Sequence, residues 1–260
     1  MVVKSLYERF NVTTQCFIDM GNSRIKWWLC QNQQVIASHA CWHRQNLAAF
    51  AEELPEIFHQ PVDFVGVSSV LDSQSNQYLT WLCESWWQKK PIFAKTSSQH
   101  LGIECGYSQP ERLGIDRWLN ILAVAPRQPV CVVSCGTALT IDVVAKHQHL
   151  GGFILPNMNL QLSSLVQGTQ GVRPDEIEFP TLNWGKSTSE AVYHGILLSC
   201  VAAIEKAHQQ IEQELQQTVD LVLTGGNAEK IAQHLSTSHD IIPELLLLGM
   251  QRYFGHSSLR

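Results

Sequence analysis

Two stretches of the chain share one pattern, an apolar run that stops at a glycine-bearing turn and then resumes. In the first, Cys16 to Asp19 breaks at Gly21-Asn22-Ser23 and continues through Ile25, Trp27 and Leu29. In the second, Val130 to Cys135 breaks at Gly136-Thr137 and continues to Val143. Runs of Val, Cys and Ile bounded by Pro and Gly predict buried strands, so each stretch reads as strand, tight turn, strand. Val35 to Ala40 extends the first into a β-meander. Helical spacing follows over Trp42 to Phe58, through Leu47, Phe50, Leu54, Ile57 and Phe58, and a strand over Val62 to Val70 runs into Ser68-Ser69. A helix covers Gln74 to Gln88, with Trp81, Trp86 and Trp87 read as packing groups rather than a ligand cage. Pro91 to Ala94 is a short strand, residues 95–110 look irregular, and a helix begins at about Asp116 and runs to Val124.

The second half repeats the logic. Strands are expected at 130–145 and 150–155, then a break at Pro156-Asn157 and a helix over Leu160 to Val166. A long helix runs from Ser189 to about Gln217 with Val192, Ile196, Ser199, Ala203 and Ile204 as its packing stripe. Val219 to Thr224 is a strand ending on Gly225-Gly226, Asn227 to Leu235 a helix, and Pro243 to Phe254 a last helix expected to cross back to the first half. The proline-bounded step Pro126 to Pro129 is the best linker. The expected organisation is therefore an extension at 1–15, one α/β lobe at 16–127 and a second at 128–260. Strands that end on glycine or small polar residues place the functional loops along one edge of each sheet.

Composition narrows the class. A chain of 260 residues, 45% hydrophobic and 16% charged, builds a true core and is not disordered. A formal charge of -5 with scattered basic residues argues against a nucleic-acid groove or a membrane-surface patch, leaving small-molecule chemistry. The eight cysteines form no C-x-x-C pair and mostly sit in apolar runs, as reduced core residues do. No run reaches the length of a membrane span and the N-terminus lacks a secretory h-region, so the expected location is the cytoplasm.

Three motifs carry candidate chemistry, each beside a plainer reading. Asp19 to Lys26 holds a carboxylate, a glycine, a hydroxyl and an ammonium on one hairpin: Asp19 can anchor Mg²⁺, the N–H groups around Gly21 and Asn22 can cradle phosphate, and Lys26 can neutralise charge. Its alternative is a turn whose side chains only cap their own backbone. Around Tyr107 to Arg117, Asp116 can act as general base and Arg117 can grip a carboxylate with two prongs, unless Asp116 is simply an N-cap with Arg117 on the surface. Gly151-Gly152 and Gly225-Gly226 would let a flat ligand such as adenine lie on the backbone. Asn183 to Thr188 is no Walker A loop, because Pro180 stands where its first glycine is needed; Thr188 and Ser189 serve instead as an N-cap for the long helix.

In order along the chain, D-x-G-N-S-x-x-K at 19–26, Y-x-x-P-x-x-L-G-x-D-R at 107–117, C-G-T-A-x-T-x-D at 135–142, G-G-x-x-x-P at 151–156, S-T-x-x-A-x-x-x-G at 187–195 and T-G-G-x-A at 224–228 closely resemble the type III pantothenate kinases. The resemblance spans about residues 16–250. It implies the acetate and sugar kinase/actin-type fold, two RNase H-like lobes with a central cleft, and a homodimer. It also implies phosphorylation of pantothenate by ATP, the first step of coenzyme A biosynthesis, with Mg²⁺ and a monovalent cation (K⁺ or NH₄⁺). Carried over by position, Asp19 lies near the metal, Gly21, Asn22, Ser23, Lys26, Gly136 and Thr137 meet the phosphates, and Gly225 and Gly226 face the adenosine. Asp116 is the base, and Tyr107, Gly114, Ile115 and Arg117 hold pantothenate, joined by Thr188 of the partner subunit.

Two departures stand out. Ser134 occupies the position of the family's usual Asp, a ligand of the monovalent cation, so either the cation dependence weakens or other oxygens replace it. Asn157 stands where glycine commonly follows the proline of G-G-x-x-x-P, and Asn tolerates positive φ. Besides the kinase reading there remain an accessory or regulatory protein of the same fold, hinted at by Ser134, and a kinase for another small alcohol.

Overall fold

The structure, a computed structural model, describes residues 13–42, 54–177 and 180–255. It divides into two compact units, residues 1–94 and 95–260.

In the first unit, β1 (Thr14–Met20), β2 (Arg24–Gln31) and β3 (Gln34–Trp42) form the expected meander. A 3₁₀ turn (Glu56–His59), β4 (Phe64–Ser69), α1 (Ser73–Trp87) and β5 (Ile92–Phe93) follow. The sheet order is β3-β2-β1-β4-β5, with β1 antiparallel to β2 and parallel to β4. Because β1 has strands on both sides and covered faces, it is buried almost throughout, Asp19 included. Trp27 centres the core, edge-on to Phe58 at 6.5 Å and to Trp87 at 6.2 Å, and Trp87 Nε1 donates to the Phe58 carbonyl at 2.9 Å. Trp86 packs against the same core, while Trp81, 59% exposed, packs by stacking on Tyr78 at the surface. Most of the expected Trp42–Phe58 helix, and most of the 1–15 extension, lie outside the described residues.

The second unit starts earlier than its sequence boundary. β6 (Gln99–His100) and β7 (Ile103–Glu104) join its sheet through the Gln148–Glu104 pairing. α2 (Ile115–Val124) covers the same sheet. Residues 95–127, expected in the first lobe, therefore belong with the second, and the Pro126–Pro129 step is no linker: Ala125 to Arg127 form a 3₁₀ turn continuing from α2. Then come β8 (Val130–Cys135), β9 (Ala138–Ala145), β10 (Gln148–Pro156), α3 (Met158–Gly168), α4 (Thr188–Leu215), β11 (Asp220–Thr224), α5 (Ala228–Ala232), β12 (Asp240–Ile241) and α6 (Leu245–Gly255). The sheet order is β12-β11-β8-β9-β10-β7-β6.

The core of this order, β10-β9-β8-β11-β12, repeats the first unit's β3-β2-β1-β4-β5 strand for strand: an antiparallel meander whose first strand also pairs in parallel with the fourth. Two units of one topology are what the two-lobed expectation requires. Strand alternation sorts the second sheet's faces. Cys131, Val133, Cys135, Leu139 and Ile141 pack with Leu197, Cys200, Val201 and Ile204 of α4. Val132, Ser134, Thr140 and Asp142 point to the opposite face, where α2 packs. α6 packs on α2, where a side chain on Gly249 would collide with the Leu119 carbonyl, and Arg252 donates to the carbonyls of Leu122 and Ala123. The last helix thus belongs to the second unit's own core.

Candidate active site

Register builds the first unit's site. Asp19, near the end of β1, lies opposite Lys26 on β2 and Ser68 on β4, so carboxylate, ammonium and hydroxyl share one face. Asp19 is 9% exposed, and its Oδ1 accepts from Ser68 Oγ at 3.0 Å. The intervening turn closes by a bond from Gly21 N to the Arg24 carbonyl at 3.0 Å, with Asn22 exposed and Ser23 half-buried. Mg²⁺ keeps much of its water and takes one or two carboxylates with substrate phosphates, so one anchored carboxylate suits it. Among the described residues no cluster of three or more His, Cys, Asp or Glu forms an all-protein cage.

In the second unit, Gly136 and Thr137 are exposed at the β8–β9 turn, where Gly136 N donates to the Ala138 carbonyl at 3.1 Å. Asn157 holds this turn from beneath: its Nδ2 donates to the Gly136 carbonyl at 2.6 Å while its Oδ1 accepts from Met158 N, capping α3. Its φ is -81°, so tolerance of positive φ is not why Asn stands there; the amide is needed for its two bonds. Gly225 has φ +96°, and a Cβ would lie 2.7 Å from the Cys135 carbonyl carbon. Only glycine fits that approach, which seats the Gly225-Gly226 loop against the strand end carrying Gly136. Beside Gly226 a Cβ would meet nothing within 4 Å, leaving room for a ligand. Gly152 serves differently from the flat-ligand expectation, because a Cβ there would lie 2.5 Å from Asp142 Oδ1 and 2.9 Å from Arg117 Nη2. The space belongs to that ion pair.

Ser134 is flanked in register by Thr140 on β9 and Thr224 on β11, a row of neutral hydroxyls on one face. The nearest acid along β9 on that face, Asp142, is committed to Arg117. These residues do not fit a cation held by a carboxylate.

The α2 start assembles the remaining chemistry. Gly114 is the N-cap residue, not Asp116, and Arg117 is buried, 5% exposed, rather than on the surface. Its Nε and Nη2 donate to the two Asp142 oxygens at 2.9 and 2.6 Å, and its Nη1 donates to the Tyr107 hydroxyl at 2.9 Å. Burial works against the guanidinium charge, but the bonds to Asp142 and Tyr107 more than offset it and hold its pKa above the ordinary value. The two-pronged grip expected on a ligand is thus made internally. His149, fully buried, places Nε2 at 2.9 Å from Asp142 Oδ1; since an ionised carboxylate only accepts, that nitrogen carries the proton. Among the described residues its Nδ1 has no hydrogen-bond partner. Asp116 is half-buried, and burial raises its carboxyl pKa against the lowering pull of the Arg117 N–H and charge. Ile115 is buried in the core, and Thr188 is exposed at the first position of α4, whose cap is Ser187 rather than Thr188 or Ser189.

The second unit thus carries a half-buried carboxylate raised by burial at the start of α2, a half-buried phenol on the preceding loop and two glycine turns at strand ends, and the first unit carries Asp19 and Lys26. The sequence model of the type III pantothenate kinases matches residues 16–210. The chain belongs to this family. Its relatives include type III pantothenate kinases of Acinetobacter baylyi (strain ATCC 33305 / BD413 / ADP1), 44% identical over 93% of this chain and 98% of the relative, and of Acinetobacter baumannii (strain ACICU), 42% identical over 92% and 97%. Among solved structures, a protein of Campylobacter jejuni named a Baf family transcriptional activator matches with TM-score 0.60 at 19% identity, covering 94% of this chain and 98% of that one. A 2-dehydro-3-deoxygalactonokinase-type protein of Sinorhizobium meliloti matches at 0.57 and 11%, covering 94% and 96%. The fold is the two-lobed α/β fold of the actin and sugar-kinase ATPases.

Asp142, His149 and Ser68 escaped the sequence-based assignment of roles in this kinase-family chain. Asp142 had a signal: an acid inside the apolar run Leu139 to Ala145 demands a buried partner. His149 and Ser68 had none. Removing Asp142 strands a buried guanidinium, so Asp142→Ala is expected to cost about 3–5 kcal/mol of stability. Arg127→Ala, which breaks the exposed pairs with Asp220 and Asp240, is expected to cost under about 1 kcal/mol. Urea unfolding of both variants checks this; equal losses would contradict it.

Proposed function

We propose that the protein transfers the γ-phosphoryl group of ATP to the 4′-hydroxyl of pantothenate, the first step of coenzyme A biosynthesis, as a cytoplasmic homodimer. Family membership supports the reaction, and one observation carries the residue roles: the Asp116 carboxyl, half-buried and raised in pKa by burial, at the start of α2 next to the charge of Arg117. A base is most useful when its pKa approaches working pH, and burial moves Asp116 in that direction. Asp116 takes the hydroxyl proton as the oxygen attacks. Tyr107 and Gly114 line the pantothenate subsite with Thr188 of the partner subunit, and the buried Ile115 and Arg117 back it from the core side.

Transfer of this kind depends on positioning and charge stabilisation more than on covalent help. The turn at Gly21, Asn22 and Ser23 and the turn at Gly136 and Thr137, each closed by its glycine N–H on the Arg24 or Ala138 carbonyl, face the phosphates, Lys26 adds a positive charge, and Gly225 and Gly226 face the adenosine. Bound near Asp19, Mg²⁺ supplies charge neutralisation at the phosphates. Exposed Phe153 and Ile154 on β10, Leu160 on α3 and Leu198 on α4 support the dimer, since a second copy can cover them. No described helix is long and apolar enough to cross a membrane.

Purified protein with ATP, Mg²⁺ and pantothenate should yield phosphopantothenate by mass. Asp116→Asn should keep its circular-dichroism spectrum and lose at least ~10²-fold in turnover. Near-normal turnover in that variant overturns the assignment, no product with or without a monovalent cation favours an accessory role, and ADP formed only with another alcohol favours a different substrate. Because Ser134 and its threonine neighbours lack a carboxylate, wild-type turnover should respond less to K⁺ or NH₄⁺ than that of Ser134→Asp; equal responses count against this.

A further inference from the structure

We propose that Asp142 and His149 are positioning residues of the pantothenate subsite, acting through Arg117 on Tyr107. The inference rests on Tyr107 being a pantothenate contact. Arg117 is buried and its fork is satisfied by Asp142, so it presents no two-pronged face to a ligand. What it does outward is donate Nη1–H into the Tyr107 oxygen. A phenol has one proton; with its oxygen accepting from Arg117, that proton is left to donate elsewhere. Tyr107 is half-buried, and a hydroxyl polarised by a charged donor is itself a stronger donor. The subsite therefore suits an acceptor oxygen, which pantothenate carries as carboxylate, amide carbonyl and hydroxyl.

His149 sets this geometry from two sides. Its ring stacks on Tyr107 at 5.9 Å and 22°, while its Nε2 donates to the same Asp142 oxygen that receives Arg117 Nη2. The Arg117 guanidinium carbon lies 5.6 Å from the Tyr107 ring centroid, so phenol, guanidinium, carboxylate and imidazole form one closed set. Two glycines leave it room. A side chain on Gly106 would collide with the His149 carbonyl, and one on Gly152 with the ion pair.

His149→Phe tests the idea in the full-length protein, because it keeps an aromatic ring against Tyr107 and removes the Nε2–H donor. Loss of binding shared by ground and transition states raises KM alone. The pantothenate KM should rise roughly 10-fold, the scale on which residues behind a ligand contact act, with kcat and the ATP KM changed less than about 3-fold and the thermal midpoint nearly unmoved. His149→Gln, whose amide can donate to Asp142, should recover most of the loss. An unchanged pantothenate KM in His149→Phe, with the wild type active on pantothenate, overturns this inference alone. A lowered midpoint with both KM values rising together marks a purely structural role and also overturns it. A wild type inactive on pantothenate overturns both this inference and the function it rests on.

Discussion

The buried Arg117–Asp142 pair is the constraint from which the second unit's chemistry follows. A charge in the middle of a covered sheet is tolerated only when paired and hydrogen-bonded, so Asp142 on β9 obliges α2 to dock with Arg117 against it. That contact fixes the rotation of α2 about its axis. Asp116, the preceding residue, is then turned by about 100° from the ion pair, half-buried at the helix start. The pair also requires the missing side chain of Gly152 and ties down the loop carrying Tyr107. One interaction thus orders a helix, a strand and a loop.

The repeated strand order explains why the Gly21 and Gly136 turns look alike. In each five-stranded repeat the first strand of the meander, β1 or β8, is flanked by its hairpin partner and a parallel strand, so it is buried almost throughout, and each carries a polar group one residue before its end. Asp19 and Ser134 hold corresponding positions before their turns. In the first unit that end group is a carboxylate held by Ser68; in the second it is a neutral hydroxyl between two threonines. The two units thus share a scaffold and differ in the charge placed on it.

The strands, the two turns and the helices around Leu79, Leu119 and Ile204 were legible because period-2 and period-3.6 patterns follow directly from burial. Less legible was whatever depends on partners distant in sequence. Residues 95–127 join the second unit because short edge strands and α2 bond to a sheet formed later in the chain, which a proline-bounded step cannot reveal. Trp81 is exposed although its neighbours are core, since helical phase separates it from Trp86 and Trp87. Ser187 caps α4 in place of Thr188, a shift inside the usual uncertainty of helix ends. Asn157 was read as a backbone matter and is a hydrogen-bond matter. The motif residues Asp116, Arg117 and Tyr107 were found, but that Arg117 turns inward needed the positions of Asp142 and His149.

In the proposed reaction the ion pair aims Asp116 at the attacking hydroxyl. The most direct measurement is a structure with pantothenate and a non-hydrolysable ATP analogue bound. It should show the 4′-hydroxyl within hydrogen-bond distance of the Asp116 carboxylate, with Arg117 still two-pronged on Asp142. Pantothenate bound with that hydroxyl remote from Asp116, or Arg117 swung off Asp142 to grip the ligand, would contradict it.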